Sequence, residues 1–501
     1  MEESLKLKKK KMYYKGKPKY QLTPKTSDWM HEIFIDTGLI NGLIERYGSP
    51  INIHHLPSFN QNCEIYKQVF NSYGLKYRIF YARKANKSKG LVKQAFASGI
   101  GVDTASFKEL EQSLALGGNS ENLVLTAAIK TEAQIKLAIE HGVPIILDNE
   151  DECRLTQTVA TKLNKKAKVG FRISGFEVDG EKLYSRFGFD VEDVEDFIGS
   201  YVGEGKTFDL LEVTGLHFHL DSYSTHQRSV SLIASIKIVS TLKEKGYPIS
   251  FIDIGGGILM NYLEEEKEWT NFNEKLKDAV LNQNNDITFN DNGLGFRLED
   301  GKLNGKLNTY PYFNKINKGS FIKEVLDFMD EASGLSVASL LLKNNIEIRI
   351  EPGRSLLDQV GITVAKVIHR KKDAKGQWLV GLEMNMSQMM SSSADFLLDP
   401  YMLYNSEVEN DKDVDVFFTG AYCLERDVLL KRKITLPKLP EIGDYVAFVN
   451  TAGYMMHFFE TEAHLFELST NLIFTGSNEK LSFFQFIDDN KIVLEKHNEM
   501  H

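Results

Sequence analysis

Cysteine is scarce in this chain: Cys63, Cys153 and Cys423 are the three among 501 residues. Three thiols cannot build a disulfide framework and their spacing offers no zinc site, so the fold must rest on its apolar core and a reducing, cytoplasmic location is expected. Long apolar runs are missing too. No window holds eighteen uninterrupted apolar residues and the N-terminus lacks the apolar stretch of a secretory signal, so a helical membrane protein and a membrane partner are excluded. Excess basic charge is lacking as well: 60 Lys and Arg stand against 69 Asp and Glu, which argues against nucleic acid as the main partner. The eight lysines of residues 1–20 form a tail with no apolar face, read as a solvated extension. Internal repeats and linkers rich in Ser, Pro or Gly are absent. What is there is an ordinary globular composition, at a length that leads one to expect roughly three domains.

From residue 76 a rhythm sets in, each β-branched or aromatic run followed by a helical stretch. The runs are Tyr77–Lys84, Gly101–Ser106, Leu123–Ala127, Pro144–Asp148, Lys168–Ser174, Leu211–Leu220, Ile249–Gly256 and Glu347–Arg354. Amphipathic segments such as 107–117, 131–141, 190–203 and 228–246 lie between them. Eight such units predict a closed (β/α)8 TIM barrel rather than an open sheet. The polar, Asn-rich connection at 261–345 reads as an insertion at the seventh unit. Beyond 358, alternating runs at 361–369, 377–384, 414–420, 427–436, 444–450 and 481–487 predict a C-terminal, mainly-β domain. The expected domains are therefore an N-terminal extension over 1–54 packing on the β domain, a barrel over 55–358 and the β domain over 359–501.

In such a barrel the polar residues at the carboxyl ends of the strands carry the chemistry. Lys84 ends the first strand in YARKAN, where an apolar surrounding would lower its pKa and free the amine for imine formation; a plain surface lysine is the alternative. The seventh strand ends in Asp253-Ile254-Gly255-Gly256-Gly257, whose glycines let backbone N–H groups approach an anion. The eighth ends in Glu351-Pro352-Gly353-Arg354, and the loops after strands seven and eight are where barrels bind phosphate, with Arg354 as counter-charge. The sixth ends in His217-Phe218-His219-Leu220-Asp221-Ser222, both histidines on one face. A metal site there needs further ligands from other strand ends, and the remaining ten histidines fall mostly elsewhere, so no metal is expected. A flat imidazole stacked on a planar ring is the better use of His219, against a satisfied core histidine.

Taken in order, YARKAN with Lys84, GVDTAS with Asp103, SRFGF at 185–189, HFHLDS at 217–222, DIGGG at 253–257, EPGR at 351–354, and the segments around Cys423 and Tyr454 resemble the fold-type III pyridoxal-phosphate decarboxylases. These are the relatives of diaminopimelate, ornithine and arginine decarboxylases, which share their barrel with alanine racemase. The resemblance runs over residues 30 to 490. It implies that Lys84 forms the internal aldimine with pyridoxal 5'-phosphate, that His219 stacks on the pyridine ring, and that Asp103 lies on the imine side. It further implies that Ser222, Gly255, Gly256, Gly257, Gly353, Arg354 and Tyr454 hold the phosphate and that Glu351 pairs with the pyridine nitrogen. Cys423, in GAYCLERD, resembles the cysteine that family members donate across a homodimer interface, and would be the proton donor at Cα.

A carboxylate at the pyridine nitrogen keeps it protonated and makes the ring the stronger electron sink, which favours decarboxylation through a quinonoid intermediate. Alanine racemases place an arginine there, so an amino-acid racemase or epimerase on the same scaffold is the rival expectation. A non-catalytic regulatory homologue is the rival of another class, which Lys84, Glu351 and Cys423 together oppose. The chain departs from the family pattern at two places. Leu424 follows the cysteine where diaminopimelate decarboxylases carry glutamate and ornithine decarboxylases aspartate, leaving Glu425 and Asp427 as displaced substrate candidates. Asp221 stands where glycine is commoner before the serine. The substrate expected is an amino acid or amino-acid conjugate.

Overall fold

The computed structural model describes residues 13–284, 286–391, 396–408, 412–476 and 481–494; the first twelve residues of the lysine-rich tail lie outside them. The chain divides into two compact units, one of residues 59–260, 316–356 and 492–501, the other of residues 1–58, 261–315 and 357–491.

The first unit is a closed barrel of eight parallel strands: β1 Tyr77–Ala82, β2 Gly101–Thr104, β3 Leu123–Leu125, β4 Ile145–Leu147, β5 Ala167–Ser174, β6 Leu211–His217, β7 Phe251–Asp253 and β8 Glu347–Ile350. Each pairs with the next, and β8 returns to β1 to close the ring. All eight runs expected from the sequence are barrel strands. β3, β4 and β7 are buried on both faces, which is why they read as continuous apolar runs rather than alternating ones. Phe80, Val124, Ile146 and Phe251 form one core cluster. Gly215 on β6 is required by it, since a Cβ there would lie 2.4 Å from the Phe251 ring. Burying a phenylalanine of this kind is worth about 2–3 kcal/mol.

Polar caps open the helices that follow five of the strands, β1 to β4 and β6. Ser88, Ser106, Asn149 and Ser224 accept the N–H of the third residue beyond them, and Thr131 with Gln134 makes a reciprocal capping box. The stretch 261–345 divides. Residues 261–315, with helix Glu266–Leu281 and hairpin Phe296–Glu299/Lys302–Gly305, group with the β unit. The remainder holds barrel helices Lys318–Asp327 and Val337–Lys343.

The second unit is built on a ten-stranded sheet. Its spine is the long strand Gly361–Lys372, which pairs antiparallel with Tyr445–Val449, with Trp378–Leu382 and with Ile51–His55. Ile51–His55 pairs in parallel with Thr470–Phe474 on its other side. Residues just ahead of the barrel thus supply an interior strand of this sheet. Arg432 is buried beside Asp399, Nη1 to Oδ1 at 2.9 Å, and Lys15 reaches the other oxygen at 3.1 Å.

Candidate active site

Because every barrel strand runs in the same direction, their carboxyl ends meet at one rim. Lys84 stands there in the turn Arg83–Ala85 that follows β1. Its side chain is 41% exposed and its Nζ lies 3.8 Å from Asp103 Oδ2. The desolvated amine expected from the sequence is therefore not what the structure holds; the buried member of the pair is Asp103, on β2, 1% exposed. Burial, reinforced by the nearby Glu351 and opposed by Lys84, pushes Asp103 up to about 6. Its Oδ1 accepts from the Thr126 hydroxyl, while Oδ2 makes no hydrogen bond.

His219 lies two residues beyond β6. Its Nδ1 accepts the Gly256 N–H at 3.2 Å, which places the ring proton on Nε2. The ring rests on bare backbone, for a Cβ on Gly255 would come within 2.6 Å of Nδ1. Gly255 and Gly257 have φ of +68° and +73°, values that glycine adopts without strain. Burial holds His219 well below the usual imidazole range, with the charges of Lys84 and Arg228 adding to it, so the ring is neutral. The glycine turn is tied to the end of β8, with Glu351 N–H donating to the Gly255 carbonyl at 3.0 Å. A Cβ on Gly256 would sit 2.7 Å from the Glu351 carbonyl. Gly353 is buried and Arg354, 8% exposed, opens the helical turn Arg354–Leu357. Ser222 Oγ accepts the Ser224 N–H at 3.1 Å. A cavity of about 290 Å³ opens beside His219 and Ser222, walled in part by Ser174, Tyr184, Ser185 and Asp221.

Beneath the rim His217, Asp253 and Glu351 bring buried donor atoms within 4.8 Å of one another. The further ligands that a metal reading required from other strand ends are thus two carboxylates. His217 Nε2 is 3.2 Å from Glu351 Oε1, but at an angle that makes no hydrogen bond, and both atoms are without one. Burial raises both carboxyls, and Glu351 raises Asp253 further by repulsion. Burial also holds His217 well below the usual range. Glu351 is 3% exposed.

The other predicted residues belong to the β unit. Cys423 is a free, exposed thiol in the turn between strands Val414–Thr419 and Val428–Leu436, and Glu425 beside it is exposed. Asp427 is buried, and its two carboxylate oxygens accept the N–H groups of Met386 and Tyr422, each at 2.8 Å. That carboxylate ties down the turn that carries Cys423 rather than presenting itself to a substrate. Tyr454 is half-buried, with φ of +70° and its ring 5.9 Å from Phe458. Sequence reasoning missed several buried cations of the barrel unit, Lys130 and Arg228 among them. Lys130 pairs with Glu152 at 2.8 Å, and Arg228 lies inside helix Thr225–Glu244, its one signal a charge among the apolar and small residues of that helix.

Residues 56–303 match the family model described as "Pyridoxal-dependent decarboxylase, pyridoxal binding domain". The chain is 27% identical over 425 residues to an uncharacterised protein of Sinorhizobium fredii, covering 84% of this chain and 86% of that one. It is 23% identical over 432 residues to the diaminopimelate decarboxylase of Bacillus methanolicus, covering 82% and 85%. Among solved structures, the diaminopimelate decarboxylase of M. jannaschii in complex with L-lysine superposes with a TM-score of 0.65 at 19% identity, covering 90% of this chain and 91% of that one. The barrel residues fit the group that this family model names. The glycine turn is a cradle that any Cβ would fill, and Glu351 Oε1 is an orphaned buried acceptor at the end of β8.

Proposed function

We propose that this chain, which belongs to the fold-type III pyridoxal-phosphate-dependent decarboxylases, removes the α-carboxylate of an amino acid or amino-acid conjugate in the manner of a diaminopimelate decarboxylase. The observation that carries this reading is Glu351: a buried carboxyl whose Oε1 has no hydrogen-bond partner, at the end of the strand facing Asp103 and His217. A cationic pyridine N–H would satisfy that oxygen and return the carboxyl to its ionised form. Pyridoxal phosphate, when bound, supplies an electron sink for the pair left at Cα as CO2 departs.

The chain's own residues do the rest. Lys84 would hold the aldehyde carbon and receive it again when product leaves. Asp103, 3.8 Å from that amine, holds a proton or a charge beside it according to pH. His219 would lie flat against the ring, its orientation set by the Gly256 N–H. Ser222, Gly257, Gly353, Arg354 and Tyr454 would take the phosphate, while Gly255 and Gly256, whose N–H groups go to Asp253 and His219, would shape the turn that admits it.

Cys423 is the proton donor assigned to Cα. Its exposure suits a residue that reaches another copy's site, whereas Cys63 and Cys153 are buried with thiols pushed up by desolvation. A homodimer with shared sites is further supported by exposed apolar side chains of the same unit, Leu424, Phe458, Phe459, Leu465, Phe466 and Leu468. Among the two substrate candidates, Glu425 remains for the distal group, since Asp427 is occupied by two backbone N–H groups.

Borohydride reduction followed by peptide mapping tests the reading: a pyridoxyl group is expected on Lys84, absent from Lys84→Ala, together with CO2 release from at least one member of a panel of diamino acids and their N-acyl conjugates. Solvent deuterium entering Cα of a recovered substrate with no CO2 released would assign a racemase instead.

A further inference from the structure

Arg228 is fully buried in the helix that follows β6. Its Nη1 donates to the carbonyls of Ile254 and Gly256 at 2.9 and 2.8 Å, and its Nη2 to the Ser222 carbonyl at 3.2 Å. Those three carbonyls belong to the two loops that line the proposed phosphate cradle. Gly257 is pressed against the same guanidinium, for a Cβ there would lie 3.0 Å from Nη2.

Two physical consequences follow. In a trans peptide the N–H points opposite to the C=O of the same plane. Drawing the Gly256 and Ser222 carbonyls inward therefore turns the N–H groups of Gly257 and Tyr223 away from the guanidinium. The second concerns charge. Among the described residues no carboxylate pairs with Arg228, and its Nε has no hydrogen-bond partner. A cation out of water without a counter-ion is strongly unfavourable unless an anion arrives to neutralise it. Burial alone lowers the guanidinium to about 10, with no acidic group opposing the change.

We propose that Arg228 is a positioning residue for the phosphate of the bound cofactor: from behind the glycine turn it aims the peptide N–H groups at the dianion and supplies the buried countercharge. This rests on the assignment of the barrel rim to pyridoxal phosphate. It differs from the role of Arg354, which stands on a third loop, after β8.

The test compares two ligands that differ only by the phosphate. Apoprotein of the full chain, wild type, Arg228→Met and Arg228→Lys, is titrated with pyridoxal phosphate and with pyridoxal, and the thermal midpoint of each apoprotein is recorded with and without inorganic phosphate. Loss of the buried countercharge and of the aim it gives the peptide N–H groups predicts that Arg228→Met weakens pyridoxal phosphate by about 30-fold while pyridoxal changes less than about twofold. Inorganic phosphate should stabilise the wild type and not this variant. Arg228→Lys, which keeps a cation but cannot fork across the carbonyls, should fold as the wild type and lose on the order of 5-fold for pyridoxal phosphate alone; it decides the question if the methionine variant does not fold. Equal losses for the two ligands, or none in the lysine variant, overturn the proposal. Wild-type protein that binds neither ligand would instead overturn the cofactor reading.

Discussion

Replacing Asp103 by asparagine should stabilise the protein stripped of cofactor, and the size of the effect can be worked out. Asp103 is 1% exposed, and burial with repulsion from Glu351 raises its pKa from 3.8 to about 6. A tenfold change in proton affinity corresponds to about 1.36 kcal/mol, and here the change is roughly a hundredfold, so the ionised group costs about 3 kcal/mol of folding free energy at pH 7.5. The sign follows from proton binding. A carboxyl whose folded pKa lies above its unfolded value takes up protons in the folded state, so stability is present below the unfolded pKa and is lost as pH rises from about 4 through about 6. Asparagine removes the charge, and its carbonyl still accepts from Thr126. Its amide inherits a position without a hydrogen-bond partner, at a cost of about 1 kcal/mol. The 3.8 Å contact with the half-exposed Lys84 contributes little. The net expectation for Asp103→Asn is a gain of about 2 kcal/mol at pH 7.5 that disappears by pH 4, read from urea unfolding of the apoproteins across that range. Stability curves that run parallel, or a variant weaker at every pH, would refute the reasoning.

Glu351→Gln removes the acceptor at the pyridine nitrogen and should lower kcat by about 100-fold with KM nearly unchanged, measured as CO2 release at saturating cofactor. Mixing Lys84→Ala with Cys423→Ala under conditions that exchange subunits should restore about a quarter of wild-type activity, because half the dimers are then mixed and each of these has one intact site; no recovery argues against shared sites. Asp427→Ala leaves two half-buried backbone N–H groups without their acceptor and should cost about 1–2 kcal/mol in urea unfolding. Its effect on KM should be smaller than that of Glu425→Gln, the comparison that separates a turn anchor from a substrate contact.

The barrel was legible because its strands are continuous apolar runs closed off by polar caps, a signal local to each segment: LVL at 123–125 and IIL at 145–147 announce themselves. The chemistry at the rim was legible for a related reason, since in a parallel barrel a strand's last residue is also a site residue. What escaped depends on partners distant in sequence. INIHH at 51–55 is too short to be assigned by itself, and it becomes an interior strand only through Gly361–Lys372 and Thr470–Phe474. The split at residue 315 is likewise a matter of which neighbours each half finds. Asp427 looked like a displaced substrate ligand, because nothing in GAYCLERD reveals that the N–H groups of Met386 and Tyr422 converge on it. Lys84 was expected to be desolvated by position, yet a side chain at the rim stays open on one side.

The place of Ile51–His55 in its sheet bears on the order of events at the ribosome. One flanking strand, Thr470–Phe474, emerges about 415 residues later, so at about 5–20 residues per second the nascent chain carries that edge unprotected for on the order of half a minute. A strand so deeply buried in the finished sheet, waiting on so late a neighbour, marks the interval in which a translational pause or a holding chaperone would most affect the yield of native protein.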